Sequence, residues 1–357
     1  MIKRKKTRII DVGGIKIGGG NPVVVQSMTK TDTKDIGATV RQIKKLSSEG
    51  CEIVRIAVPD MEAAEAIGEI KTRVSNIKLQ IPIIADIHFD WRLALRAIKN
   101  GVDGLRINPG NIGARWKVAE VVSACKDKGI PIRIGVNAGS LSKKILSKYH
   151  HPLPEALVES AEEHIDILEG MNFRDIKVSL KASNVMTTVE AYRLFSKRHR
   201  YPLHVGISEA GPFFTGVIKS SIGIGLLLEE GIGDTIRVSL STDPVEEVRV
   251  AYEILKSLGM RQKGVNLISC PTCGRCGIDI RGLAERAEER LKEIDKPMTV
   301  AIMGCAVNGP GEAREADIGI AGGKGFGILF KKGKVIKKVR EEDMLETLMS
   351  AVRDEAS

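Results

Sequence analysis

The sequence predicts an α/β protein in which a closed (β/α)8 barrel is followed by a small α+β module. Three observations carry that expectation. Short β-branched runs alternate with longer amphipathic stretches through the first two-thirds of the chain, the pattern of a parallel sheet covered by helices. The alternation repeats eight times before Met260, matching a closed barrel, whose usual size is about 250 residues, better than an open doubly wound sheet. Beyond Gly259–Gly264 the rhythm breaks and cysteines appear. The expected domains are therefore 1–260 and 261–357.

The barrel strands are read as Val23–Ser27, Ile53–Val58, Pro82–Ile87, Gly104–Asn108, Ile132–Asn137, Ile176–Lys181, Leu203–Ser208 and Thr235–Leu240. Helical patterns lie between them, among them Thr39–Ser48, Trp91–Lys99, Trp116–Lys128, Pro154–Glu169, Glu190–Arg198 and Phe214–Glu229. In the smaller module, Val265–Ser269 runs into Cys270-Pro271-Thr272-Cys273, a charged helix covers Ile280–Ile294, and Thr299–Met303 leads to Cys305. Asp317–Ala321, Phe326–Phe330 and Lys334–Val339 read as further strands, the last two joined at Lys332-Gly333, before a terminal helix over Glu342–Arg353.

Composition narrows the function. A chain of 357 residues with 43% hydrophobic and 28% charged residues suits a folded globular protein. With aromatics at only 4%, stacking platforms for single-stranded nucleic acid are scarce, and no nucleic-acid partner is expected. The net charge of +10 comes partly from basic runs near both ends, which read as solvated surface. No apolar stretch approaches a membrane span and Met1–Lys6 lacks a signal-peptide core, so the expectation is a cytoplasmic protein with no membrane partner.

Barrel active sites sit where strands end at the C-terminal mouth, and here those ends are charged. Arg55, Asp86 with His88, Arg106 with Asn108, Arg133 with Asn137, Lys177–Ser179–Lys181, His204, Ser208-Glu209, and Arg237 with Ser239 all fall there. Residues two apart on a strand share a face. Each charge taken singly reads as well as a solvated strand end. Basic residues on six strands, His204 included, point instead to a shared multiply charged anion, most simply a diphosphate, which guanidinium forks would grip. Asp86 and Glu209 either balance this charge or move a proton, and Glu209 is the preferred acid. A G-x-G-x-x-G fingerprint at a strand–helix junction is lacking, so no nicotinamide cofactor is expected.

Of six cysteines, Cys51 and Cys125 stand alone in apolar surroundings and read as inert core thiols. Cys270, Cys273, Cys276 and Cys305 cluster. Cys270, Cys273 and Cys305 resemble an iron–sulfur ligand set whose fourth corner would be a non-thiolate ligand or an open iron. A four-cysteine zinc site is the alternative, although the second Cys-x-x-Cys knuckle of a zinc ribbon is missing.

The stretch TVAIMGCAVNGPGEAREADIGIAGG (Thr299–Gly323), with SCPTCGR (Ser269–Arg275) and VQSMTKTDT (Val25–Thr33), closely resembles the 4-hydroxy-3-methylbut-2-en-1-yl diphosphate synthases of the non-mevalonate isoprenoid pathway. ADIHFD (Ala85–Asp90), LRINPGN (Leu105–Asn111) and HVGISEAG (His204–Gly211) follow in family order, and the likeness spans the chain. It implies a TIM barrel followed by a [4Fe-4S] domain in the short bacterial arrangement. By that resemblance Cys270, Cys273, Cys305 and Glu312 would hold the cluster, and Cys276, lacking a counterpart, would be a spare thiol. The implied reaction is reductive opening of 2-C-methyl-D-erythritol 2,4-cyclodiphosphate with two electrons from flavodoxin or ferredoxin. Arg55, Asp86, Arg106, Arg133, Asn137, Lys181, His204, Arg237, Ser239 and Asn308 would bind the substrate, and Glu209 and Glu312 would be catalytic. The family arrangement implied is a homodimer whose cluster domain caps the partner's barrel. The alternative left open is a non-redox phosphate-binding barrel enzyme with a structural zinc ribbon.

Overall fold

The computed structural model describes residues 2–305, 311 and 313–356. The chain divides into two compact units, Met1–Arg261 and Gln262–Ser357.

The first unit is built on eight parallel strands: β1 (Val24–Met28), β2 (Ile53–Ala57), β3 (Ile83–Asp86), β4 (Gly104–Ile107), β5 (Ile132–Asn137), β6 (Ile176–Lys181), β7 (His204–Val205) and β8 (Thr235–Ile236). They pair in the order 6-5-4-3-2-1-8-7, and a parallel bridge between Val178 and Leu203 joins β6 to β7 and closes the ring. Long helices follow the strands, from Ile36–Ser48 after β1 to Pro244–Ser257 after β8. Their starts carry the expected signals: Asp35, Asp60, Asp90, Asn184 and Asp243 each accept from a backbone N–H of the first turn, satisfying donors that the helix leaves orphaned.

Two strands are shorter than the sequence suggests. β7 and β8 hold two regular residues each, against expected runs to Ser208 and Leu240. The cause is a close backbone approach. A Cβ on Gly206 would lie 2.3 Å from the Arg237 carbonyl oxygen and 2.9 Å from Lys181 Nζ. Backbone pairing continues past this point, with Arg237 N donating to Val205 O at 3.0 Å and Ser208 N to Ala182 O at 3.2 Å, but out of regular ladder form.

An N-terminal hairpin, Ile10–Val12 paired with Ile15–Ile17, was not foreseen. Its buried Ile10, Val12 and Ile17 pack on Val24, Ile53 and Ile84 from the first three barrel strands. These residues form an apolar stopper under the starts of these strands. The segment was overlooked because three-residue strands carry too little periodicity to register.

The second unit is a five-stranded mixed sheet, β9 (Val265–Ser269), β10 (Met298–Met303), β11 (Ile318–Gly323), β12 (Phe326–Lys331) and β13 (Lys334–Arg340), in sequential order. β9, β10 and β11 are parallel and the rest antiparallel. Helices Ile280–Leu291 and Met344–Ala356 bury Leu283, Ala287, Leu348 and Val352 against Val300, Ile302, Ile318 and Ile320. The tight turn between β12 and β13 has positive φ at both Lys332 (48°) and Gly333 (71°), the conformation that matches hairpin twist. No helix among the described residues is long and apolar enough to cross a membrane.

Truncating the stopper tests its weight. Ile17 is fully buried, so Ile17→Ala should cost about 2–4 kcal/mol in chemical denaturation of the intact chain. A loss below about 0.5 kcal/mol would mean the hairpin merely rests on the barrel.

Candidate active site and cysteine loop

The barrel interior above the stopper is a stack of cations. Strand register places Arg106 beside Arg133 and Arg133 beside Lys177, so alternation along β4, β5 and β6 sends all three inward. Arg106, Arg133, Lys177 and Lys181 are buried, and Arg55 and Arg237 are half-buried. Two carboxylates answer them. Asp86 lies 3.3 Å from Arg106 Nη1 and 3.6 Å from Arg55 Nε. Glu247, from the helix after β8, lies 3.2 Å from Arg237 Nε and 3.1 Å from Lys30 Nζ. Among the described residues no carboxylate pairs with Arg133, Lys177 or Lys181, and Arg133 Nε, Arg133 Nη2 and Lys177 Nζ are buried without a hydrogen-bond partner.

The titration shifts follow from that imbalance. Burial pushes the Asp86 carboxyl up, but Arg55, a hydrogen bond with His88, Arg106 and Arg133 outweigh it and hold it well below the usual carboxylate range. Burial, then repulsion from Arg55 and Arg106, lowers Arg133. Guanidinium is basic enough to stay charged regardless, so its positive charge is left uncompensated. Burial and Arg133 bring Lys177 down to about 7. Lys181 is pushed well below its ordinary value by burial and by Arg133 and Arg237.

Backbone and sulfur atoms fix the remaining geometry. Arg106 Nη2 donates to Gly135 O at 2.8 Å, and Asn108 brackets the same residue, donating to its O at 3.0 Å and accepting from its N at 2.8 Å. A Cβ at position 135 would stand 2.3 Å from Arg106 Nε. Arg133 Nη1 donates to Ser179 Oγ at 2.8 Å. Met28 Sδ accepts from Arg55 Nη2 at 3.0 Å and from Arg237 Nη1 at 3.8 Å.

The structure therefore gathers Arg55, Asp86, Arg106, Arg133, Lys181 and Arg237 in one barrel interior. Asn137 is half-buried at the end of β5, its Oδ1 accepting from Ser208 Oγ at 3.4 Å. Ser239 is half-buried just past β8. His204 sits deeper, fully buried, with Nδ1 2.7 Å from Thr235 Oγ1. Burial and the surrounding cations drive its pKa far down, so it is a neutral imidazole. Glu209 is exposed past β7 and holds a left-handed backbone, φ 52°, which is uncommon for a non-glycine residue. Sequence reasoning missed Glu247 and Met28. Glu247 had a signal: it interrupts the apolar face formed by Val248, Ala251 and Leu255.

In the second unit the ends of two adjacent parallel strands bring the cysteine segments together. Cys270 N donates to Ile302 O at 3.3 Å, and Gly304 N donates to Cys270 Sγ at 3.1 Å. Cys276 N donates to Cys273 O at 2.9 Å, closing a turn that Thr272, at φ 69°, precedes. Cys273 is exposed; Cys270, Cys276 and Cys305 are half-buried, and all are free thiols. Among the described residues no three His, Cys, Asp or Glu side chains converge as a single-ion site would require. Asn308 and Glu312 lie outside the described residues.

Fold and site together define the class: a (β/α)8 barrel protein with a cationic interior, carrying a separate α+β unit with a thiol-rich loop. The chain belongs to the GcpE family, with the GcpE TIM-barrel domain matching residues 7–252 and the GcpE protein C-terminal domain matching 266–354. Curated relatives include the 4-hydroxy-3-methylbut-2-en-1-yl diphosphate synthase (flavodoxin) of Thermodesulfovibrio yellowstonii, 64% identical over 99% of this chain and 100% of that one. The enzyme of the same name from Geobacter sulfurreducens is 60% identical over 98% of both chains. Among solved structures, a dihydropteroate synthase from Xanthomonas albilineans (13% identical, TM-score 0.50) covers 71% of this chain and 99% of its own. A 3-dehydroquinate dehydratase from Geobacillus kaustophilus (15%, TM-score 0.50) covers 70% and 97%. These last two share the barrel fold alone.

Lys177 gives a pH prediction. Its ammonium stays protonated in the unfolded chain until near 10.5, whereas the folded protein releases the proton near 7. The cost of burying the charge thus weighs fully on the fold below pH 7 and fades as the pH rises from about 7 toward 10.5. Lys177→Met should raise the unfolding midpoint of the ligand-free protein at pH 6–7 and confer a shrinking advantage up to pH 10. An advantage that does not change with pH would show that the ammonium is already compensated.

Proposed function

We propose that the chain catalyses reductive ring opening of 2-C-methyl-D-erythritol 2,4-cyclodiphosphate to 4-hydroxy-3-methylbut-2-enyl diphosphate, an isoprenoid precursor of the non-mevalonate pathway. The observation that carries this reading is the buried set Arg133, Lys177 and Lys181, which has no carboxylate partner among the described residues of a family barrel. Buried cations without partners are costly, and a doubly phosphorylated ring would satisfy them. Each turnover consumes two electrons and two protons and releases one hydroxyl oxygen as water.

Arg55, Arg106, Arg133, Lys181 and Arg237 are the phosphate clamp, the guanidiniums offering paired donors to phosphate oxygens. Asp86 holds Arg55 and Arg106 in place through contacts at 3.6 and 3.3 Å, and Asn137 and Ser239 line the rim. His204, neutral and tied to Thr235, keeps one unpartnered ring nitrogen, Nε2, for the substrate side. Glu209 is the proton donor to the departing hydroxyl, and its exposure suits a group that must be reprotonated from solvent. Asn308 would add a hydrogen bond from the second unit.

Cys270, Cys273 and Cys305 would hold a [4Fe-4S] cluster, with Glu312 on the fourth iron. The donor set fits: the thiols come from the ends of neighbouring parallel strands, and the Gly304 N–H donates to one sulfur, a contact that tunes such clusters. A cube spaces its ligands one per iron, so it does not require the convergence that a single ion would. When bound, the cluster would relay the donor's two electrons one at a time and offer a Lewis-acidic corner. Flavodoxin, named with the relatives, or ferredoxin would be the donor. A second copy of the chain is the remaining partner, with its cluster unit closing over this barrel. The exposed apolar row Phe214, Ile218, Ile222 and Leu226 on one helix supports a homodimer.

The test is turnover of the cyclic diphosphate under argon with a strong artificial reductant, on protein assayed for iron and sulfide. Arg133→Ala should weaken substrate binding by at least tenfold while leaving the iron content unchanged; equal affinity in that variant would reduce the basic mouth to surface. Glu209→Gln should lower kcat by about 10²–10⁴ with little change in KM, and an unchanged kcat would remove it as the acid. A colourless, iron-free protein with full activity would overturn the reading.

A further inference from the structure

Ser27 and Lys30, both in the Val25–Thr33 segment, stand outside the phosphate clamp yet reach one of its members through a shared carboxylate. Glu247 is buried, and donors converge on it from β1, from β8 and from the turn after β8. Its Oε2 accepts from Ser27 Oγ at 3.0 Å and from Arg237 Nε at 3.2 Å. Its Oε1 accepts from Arg237 Nη2 at 3.4 Å and from Leu240 N at 3.2 Å, and lies 3.1 Å from Lys30 Nζ. The Lys30 ammonium also donates to Leu240 O at 2.6 Å and to Thr242 O. One carboxylate and one ammonium thus fasten the end of β1 to the turn that carries Ser239.

Arg237 feels this arrangement in two ways. Glu247 occupies the Nε–Nη2 edge of the guanidinium, which fixes the orientation of the fork. Nη1 has Met28 Sδ at 3.8 Å and no carboxylate among the described residues, so it is the corner left for an anion. A carboxylate acting alone would cancel much of the attraction of Arg237 for phosphate, since opposite charges in contact largely neutralise each other at a distance. Lys30 on the same carboxylate reverses that loss. Two cations share one anion, and the group as a whole stays positive. A counter-ion needed only to bury Arg237 would call for no second cation.

We infer that Glu247 and Lys30 are positioning residues of the phosphate clamp, Glu247 orienting Arg237 and the Ser239 turn while Lys30 offsets the negative charge that Glu247 brings. The inference rests on the clamp reading above. Both residues act through Arg237 and its turn.

The experiment measures the affinity of the full, iron-loaded chain for the cyclic diphosphate by titration calorimetry. Wild type is compared with Glu247→Gln, Lys30→Met, Arg237→Ala, and each of the first two combined with Arg237→Ala. Glu247→Gln should weaken binding about tenfold, although it removes a negative charge; a residue that merely balanced charge would give tighter binding when neutralised. Lys30→Met should weaken binding to a similar degree, and in turnover both losses should fall on KM with kcat within about twofold of wild type. Where Arg237 is already Ala, neither substitution should change affinity by more than about twofold, because the group they act through is gone. Unchanged or tighter binding by Glu247→Gln, or full losses that persist without Arg237, overturns the inference. Should Glu247→Gln fail to fold, Lys30→Met, altered at a partly exposed side chain, decides the matter through the same comparison. Wild-type protein that does not bind the cyclic diphosphate overturns the clamp reading and this inference together, whereas wild-type binding with additive losses overturns this inference alone.

Discussion

Uncompensated positive charge inside a closed barrel is the constraint on which the rest of the structure depends. Two carboxylates, Asp86 and Glu247, hold four of the cations, Arg55, Arg106, Arg237 and Lys30. Arg133, Lys177 and Lys181 make no ion pair among the described residues, and burial and neighbouring cations lower all three despite weaker attraction of Arg133 to Asp86 and of Lys177 to Asp234. Such an interior is unfavourable without an anion, and the fold offsets that cost elsewhere. The hairpin stopper adds an apolar layer beneath the strands, and the helices bury a continuous hydrophobic shell outside them. Stability is supplied at the bottom and periphery so that the mouth can remain electrostatically unsatisfied. This division of labour is typical of barrels, and here the charge distribution makes it unusually sharp.

Much of this was legible in the sequence, for identifiable reasons. β5 and β6 were read residue for residue because their β-branched runs have clear ends, and the inward set on β6 follows from alternation alone. The ends of the helices read as Thr39–Ser48 and Glu190–Arg198 were legible, but their starts lie earlier, at Ile36 and Val185, directly after the caps Asp35 and Asn184. β7 and β8 were overextended because apolar alternation continues past Gly206 and Arg237, while the regular ladder stops where their backbones crowd together. No pattern in one chain announces a tertiary contact of that kind.

The site was legible in its charges and not in their pairing. Arg55, Arg106, Arg133, Lys181 and Arg237 stood out as cations on the barrel strands, but that Arg237 has its counter-ion in Glu247, on the helix that follows, required the fold. Met28 was invisible as a contact, since a methionine in a strand reads as core. Its sulfur nevertheless lies between two guanidiniums. The cysteine loop was legible as a cluster of thiols from spacing alone. The bond from Gly304 N to Cys270 Sγ required coordinates.

Gly135 shows how narrowly the pocket constrains its own divergence. Its carbonyl receives both Arg106 and Asn108, and the space where a side chain would begin is filled by the guanidinium. Neither position can drift by itself: a larger residue at 135 evicts the arginine, and a shorter residue at 106 leaves a hole beside a glycine. Energies of paired substitutions here will not add. Attempts to retune this pocket for a different ring must therefore treat Arg106, Asn108 and Gly135 as one heritable unit.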